Sequence, residues 1–180
     1  LHKLMATVFT GITGAISVWV LTAFESNGDY QFLSEQTWIE SLGIQWNAGI
    51  DGISLFLVVL TGLLFPFVVI AINPHHDHKA YYIWIQLLQT GCMGVFVSLD
   101  LFMFFVFFEI VLVPMYFLIG KWGHGNARYA ATKFFLYTML GSALMLVSII
   151  SLVVLHSREA GTEITFNLIE IASNPAISSN

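Results

Sequence analysis

Leu101-Phe-Met-Phe-Phe-Val-Phe-Phe-Glu109-Ile-Val-Leu-Val-Pro114-Met-Tyr116-Phe-Leu-Ile-Gly120 is a run of hydrocarbon and aromatic side chains broken by a single acid. Residues 101–120 match the length of helix that crosses a bilayer core, about 20 residues. The run is apolar on every helical face, so it predicts a segment surrounded by lipid or by other helices. Outward from it, the gaps between charges repeat the pattern at 4–24, 52–76, 80–99 and 134–157. Helices are therefore expected at about 4–24, 52–74, 81–99, 101–120 and 133–156. Barrel strands would alternate apolar and polar residues over about 10 positions, which these runs do not do.

Composition agrees with the spans. Of 180 residues, 57% are hydrophobic and 9% are charged, against about 25% charged in soluble domains. Six Lys/Arg and eleven Asp/Glu cannot coat a soluble core of this size, so lipid has to act as solvent. The predicted fold class is all-α: a polytopic transmembrane bundle with five helices, treated as one partial membrane domain over 1–180. A net charge of -5 argues against a nucleic-acid partner. The first run is too long for a signal-peptide core and reaches Phe24-Glu25 without a cleavage pattern. The single cysteine, Cys92, lies in an apolar run and supports neither a disulfide framework nor a cysteine metal site. The chain opens Leu1-His2-Lys3 and closes on a polar stretch from Ser173, so both ends read as those of a fragment.

Five crossings place Lys3, Lys79, Lys121, Arg128 and Lys133 on one side and Arg158 alone on the other. By the positive-inside rule the first side is cytoplasmic. The opposite side carries an acidic segment, 25–50, whose Trp38 and Trp46 suit the headgroup level. The tail 162–171 mixes apolar and polar positions and is expected to lie along the outer surface. Asp51-Gly-Ile-Ser54 reads as the N-terminal cap of the second helix. Small residues at Gly11 and Ala15, and at Gly91, Gly94 and Ser98, would permit close helix approach.

Glu109 is the only acidic or basic residue, histidine aside, inside these charge-free runs. An ionised carboxylate there costs several kcal/mol without a partner, which favours the neutral form. A group that is neutral alone and ionises beside a cation can take up and release a proton; the alternative is a neutral acid acting as packing glue. Pro114, five residues on, cannot donate to the Ile110 carbonyl and is expected to kink or loosen the helix beside the acid. Lys133 reads as a snorkelling interfacial lysine, or else as a cation lining the cytoplasmic mouth of a proton path. His75, His76, Asp77 and His78 match no closed zinc spacing and read as a solvated loop. No nucleotide-binding glycine loop, nucleophile elbow or CxxC motif is present.

The run from Asp100 to Gly123, together with Arg128-Tyr-Ala-Ala-Thr-Lys133-Phe-Phe-Leu-Tyr137-Thr and Asp51-Gly-Ile-Ser54, resembles one family closely. This is the antiporter-like subunit M family of respiratory complex I, the proton-pumping NADH–quinone oxidoreductase, with subunit 4 as its mitochondrial counterpart. The resemblance covers about Trp38 to His156. It implies a subunit of about fourteen crossings, of which this stretch holds roughly the second to the sixth. It also implies that Glu109 pairs with a lysine on a later helix and couples a charge wave to proton transfer. Phe108 departs from the family, where many relatives carry Trp. The resemblance further implies no cofactor in this chain, with NADH, flavin, iron–sulfur clusters and quinone belonging to other subunits. The partners implied are other membrane subunits of complex I and the lipid bilayer, and a bacterial plasma membrane is the expected location. Rival readings are a subunit of a multi-subunit cation/proton antiporter, a related membrane hydrogenase, or a structural scaffold.

Overall fold

The computed structural model describes residues 1–25 and 29–173, so the polar end 174–180 lies outside the described residues. Among the described residues, five helices are long and apolar enough to cross a membrane: α1 (His2–Ala23), α2 (Gly52–Ala71), α3 (His78–Val97), α4 (Leu101–Trp122) and α5 (Ala127–Ala160). Between α1 and α2 stand two strands, β1 (Gln31–Ile39) and β2 (Ile44–Ile50), joined through a 3-10 turn at Glu40–Leu42. A short helix, α6 (Leu168–Ser173), follows α5. Each crossing helix packs on the next in sequence, and α1 also touches α3.

The charge pattern sorts the two ends as expected. At one end, Lys3 Nζ donates to the Ile70 carbonyl (2.8 Å) and to Asn73 Oδ1 (2.7 Å). Trp122 Nε1 donates to the His76 carbonyl (2.9 Å), and Lys121 pairs with Asp77. The starts of α1 and α3 and the end of α4 therefore share one rim, which carries the basic residues. Lys121 holds the exposed Asp77 carboxyl below its ordinary range. Because that shift is downward, the pair's small contribution is present above the ordinary carboxylate range and is lost as pH falls through the lowered value. Thermal unfolding of Asp77→Asn is expected to differ little from the unmodified protein at neutral pH, since exposed pairs contribute little.

Helix ends differ from the expected bounds because a charge stops a hydropathy run without stopping a helix. α5 starts six residues before the expected 133, where Ala127, Ala130 and Ala131 favour helix, and ends at Gly161 in the left-handed region (φ 65°). The Asp51 cap is confirmed as a reciprocal box: Ser54 N–H donates to Asp51 Oδ1 (2.7 Å), and Asp51 N–H donates to Ser54 Oγ (2.9 Å).

The acidic loop proves to be an antiparallel hairpin, which pairs Gln36 with Trp46 and Ser34 with Ala48. Its second strand alternates Ile44, Trp46, Ala48 and Ile50 with Gln45, Asn47 and Gly49, a period-two signal masked by the expectation of a loop. Gly43 turns the chain at φ 66°, and a Cβ there would stand 1.9 Å from the Ile164 carbonyl oxygen. The tail does more than lie along the surface. Leu101 N–H donates to the Phe166 carbonyl and Leu168 N–H to the Leu99 carbonyl (both 2.9 Å), and Phe166 is buried.

The small-residue contacts also need one correction. Gly11 faces open space and Ala15 is exposed; the close approach of α1 to α2 falls on Gly14, Ser17 and Gly62. A Cβ on Gly14 would lie 2.7 Å from the Gly62 carbonyl oxygen, and one on Gly62 would lie 2.1 Å from Ser17 Oγ. The α1 stripe buried against α2 runs Ala6, Thr10, Gly14, Ser17, which the 11/15 spacing misses by one helical face. Gly14→Val is expected to lower the amount of assembled subunit in membranes, while Gly11→Ala leaves it unchanged; immunoblotting of native gels reads both. Gly91 and Gly94 do meet α4, at Val111 and Phe107.

Candidate functional site

Glu109 is the ninth residue of α4, about 12 Å along the axis from its Asp100 end and well inside a helix long and apolar enough to cross a membrane. Phe102, Phe105, Glu109, Leu112, Tyr116 and Gly120 recur at spacings of three and four, so they form one stripe. That stripe meets α5. A Cβ on Gly120 would touch Ala131 Cβ (3.3 Å), Tyr116 packs edge-on to Phe135 (5.5 Å between ring centroids), and Phe102 and Phe105 share a cluster with Met145 and Ile149. The antiparallel register set by these contacts puts Glu109 level with Ser142. Ser142 is buried, and its hydroxyl donates to the Met139 carbonyl (3.0 Å). One turn nearer the basic end, Thr138 donates to the Phe134 carbonyl (2.7 Å). Each hydroxyl spends its proton on its own helix and leaves its oxygen as an acceptor toward the seam.

Glu109 itself is half-buried and has no hydrogen bond or ion pair among the described residues. Pro114 is fully buried, and α4 stays helical through it. It falls on the face of Phe107, Val111 and Leu118 turned toward α3, so the Ile110 carbonyl that it cannot serve lies off the Glu109 stripe.

Lys133 is not brought to Glu109. It is exposed, lies on the side of α5 away from the Ala131–Phe135–Thr138–Ser142 stripe, and places Nζ 5.9 Å from the Tyr129 ring. Among the described residues, no group of three His, Cys, Asp or Glu side chains can hold a metal ion, and the His75–His78 loop is instead tied to α4. Thr138 and Ser142 went unnoticed in the sequence. The signal for them was the spacing 131, 135, 138, 142, 145, 149, 153 along α5, which can be recognised only once its partner helix is known.

The rim opposite the basic one carries a separate cavity of about 580 Å³, lined by Glu40, Glu163, Glu170 and the buried His156 among others. Between it and Glu109 lies the apolar cluster of Phe102, Phe105, Met145, Ile149, Val153 and Phe166.

Residues 98–178 match the family described as NADH:quinone oxidoreductase/Mrp antiporter, TM, a span that contains Glu109, Ser142 and the whole α4–α5 seam. Relatives extend the likeness over nearly the whole chain. NADH-quinone oxidoreductase subunit M of Rickettsia bellii is 40% identical over 83% of this chain and 31% of its own length. The subunit of the same name from Escherichia coli strain K12 is 39% identical over 95% of this chain and 36% of its own. The chain belongs to this family of antiporter-like membrane subunits.

Within that family the chain spans about a third of the length of these curated relatives. Solved structures agree in fold. A chain of respiratory complex I from Thermus thermophilus with bound NADH superposes with TM-score 0.74 at 20% identity, over 97% of this chain and 39% of that one. A chain of the Mrp complex from Dietzia gives 0.76 at 17% identity, over 99% of this chain and 19% of that one. At such identities the likeness is one of fold alone. This antiporter-like stretch is thus an integral membrane unit, and Glu109, the acid in the apolar middle of α4, sits on a helix–helix seam.

Proposed function

We propose that this chain is part of a proton-translocating membrane subunit of NADH–quinone oxidoreductase, with Glu109 as the group that takes up and releases the proton. One observation carries the reading: Glu109 is the only acid in the membrane-spanning interior, it has no partner among the described residues, and two hydroxyl-bearing residues line the facing helix beside it. The names of the relatives supply the complex. Donor oxidation and quinone reduction then take place on NADH, flavin, iron–sulfur and quinone sites of other subunits, and this chain contributes the proton step. The resemblance to subunit M implies that Glu109 pairs with a lysine on a later helix, and a cation beside a membrane-embedded acid is the arrangement such acids commonly adopt. Lys133 enters as a cation at the basic mouth rather than as that partner. The basic rim faces the cytoplasm of a bacterial plasma membrane, and neighbouring membrane subunits and lipid cover the exposed helix faces.

Glu109→Gln in the full-length subunit, assayed for donor-driven proton uptake in native membranes, tests the proposal. The fold likeness to the Mrp complex and the family description favour one second reading, a cation/proton antiporter subunit. Cation-gradient-driven proton exchange in the absence of an electron donor distinguishes it.

A further inference from the structure

The Glu109 seam is sealed toward one rim and nearly open toward the other. On the outer side, Phe102 and Phe105 meet Met145, Ile149 and Val153, with Ile44 and Phe166 closing over them. Val153 is 1% exposed, so several turns of dry contact separate Glu109 from the outer cavity. Water in such a contact would have no polar partner. On the basic side, a cleft of about 200 Å³ enters the seam where two small residues, Gly120 and Ala131, leave it thin. A second cavity of about 510 Å³ shares Gly120, Lys121 and Arg128 with it and continues to the helix ends. Lys121 is held by Asp77, while Arg128 makes no ion pair among the described residues.

Tyr116 stands at the inner end of that cleft and on the Glu109 stripe, two turns or about 10 Å from the acid. Side chains on a helix lean toward its N-terminus, which for α4 is the direction of Glu109. The ring is held edge-on by Phe135 and by Phe117 (5.4 Å), and the hydroxyl has no hydrogen bond among the described residues. Between the two levels the α4 stripe carries the buried Leu112, and the α5 stripe carries Thr138, whose hydroxyl donates to the Phe134 carbonyl.

Resting on the reading above, the geometry points to Tyr116 as the protonic link between the basic-side cleft and Glu109. Its phenol oxygen accepts a proton from cleft water as its own proton leaves, by way of the Thr138 level, toward the Glu109 carboxylate. One O–H bond forms as another breaks, and Tyr116 ends each transfer unchanged.

Tyr116→Phe keeps the ring and its contacts and removes only the relay. In the full-length subunit in native membranes, it is expected to assemble normally and to lower donor-driven proton uptake by about tenfold, with a larger solvent deuterium isotope effect. Tyr137→Phe, 81% exposed on α5, serves as control and keeps the unmodified rate. Glu109→Gln is measured alongside. Undiminished uptake in Tyr116→Phe with uptake lost in Glu109→Gln overturns this inference alone, whereas undiminished uptake in Glu109→Gln overturns the functional reading beneath it. If Tyr116→Phe does not assemble, Thr138→Val, which removes the next hydroxyl at nearly constant shape, takes its place, and full uptake there overturns the inference equally.

Discussion

Glu109→Gln is expected to leave the subunit assembled and to reduce donor-driven proton uptake by about a hundredfold, the scale of removing a positioned proton-transfer group. Gln matches Glu in size and keeps an oxygen acceptor, so the contacts of Glu109 beside Phe105 and Leu112 survive. What it loses is the ability to ionise. A glutamate that only glued helices together would tolerate the change, because an amide hydrogen-bonds as well as a neutral carboxyl. The half-buried position and the absence of any hydrogen-bond partner among the described residues already weigh against glue, since packing glue needs something to hold. The measurement is proton uptake by vesicles given electron donor, read together with electron transfer and the amount of assembled complex. Full uptake at normal assembly would make Glu109 structural and remove the support this residue gives to translocation.

Asp100→Ala is expected to destabilise the hairpin end of the bundle by about 2–4 kcal/mol. Asp100 is 1% exposed and caps α4, with Oδ1 accepting from Phe102 and Met103 N–H (2.9 Å each) and Oδ2 accepting from Gln45 N–H across the hairpin (3.1 Å). Alanine strands one buried donor, Met103 N–H, and two half-buried ones at once, and removes the side-chain link from β2 to the start of α4. Asp100→Asn keeps the capping oxygen but turns an amide N–H toward that of Gln45, so it costs less than alanine and still loosens the hairpin. Denaturant unfolding of the purified subunit and protease cleavage within residues 31–50 measure the two effects.

The same carboxyl carries a pH signature. Burial pushes its pKa upward more than the N–H groups of Met103, Gln45 and Phe102 pull it down. A raised folded value means that the fold holds this proton more tightly than the unfolded chain does. The associated stability is complete below the ordinary carboxylate range and falls as pH rises through the raised value. Asp100→Asn is expected to lack that step.

Much of the architecture was legible in residues 4–24, 52–74, 81–99, 101–120 and 133–156, because the bilayer imposes a length and an apolarity that no tertiary contact can rewrite. The sorting of Lys3, Lys79, Lys121, Arg128 and Lys133 to one rim followed for the same reason, and so did the isolation of Glu109, since one acid in a hydrocarbon span needs no partner to be noticed. The hairpin at 31–50 was not read, although β2 alternates. Its strands are stabilised by Gly43 against Ile164 and by Asp100 against Gln45, contacts between residues far apart in the chain. Gly11 and Ala15 looked like a packing pair as plausibly as Gly14 and Ser17, because spacing fixes a stripe but not the direction in which it faces. The company of Glu109 was likewise decided only in three dimensions. Its own stripe was implicit in helical periodicity, but the register that sets it level with Ser142, and the cleft that reaches Tyr116 beside Gly120 and Ala131, depend on how α5 lies against α4. Lipid as solvent determined which segments cross; side-chain packing between neighbours determined what the acid can reach.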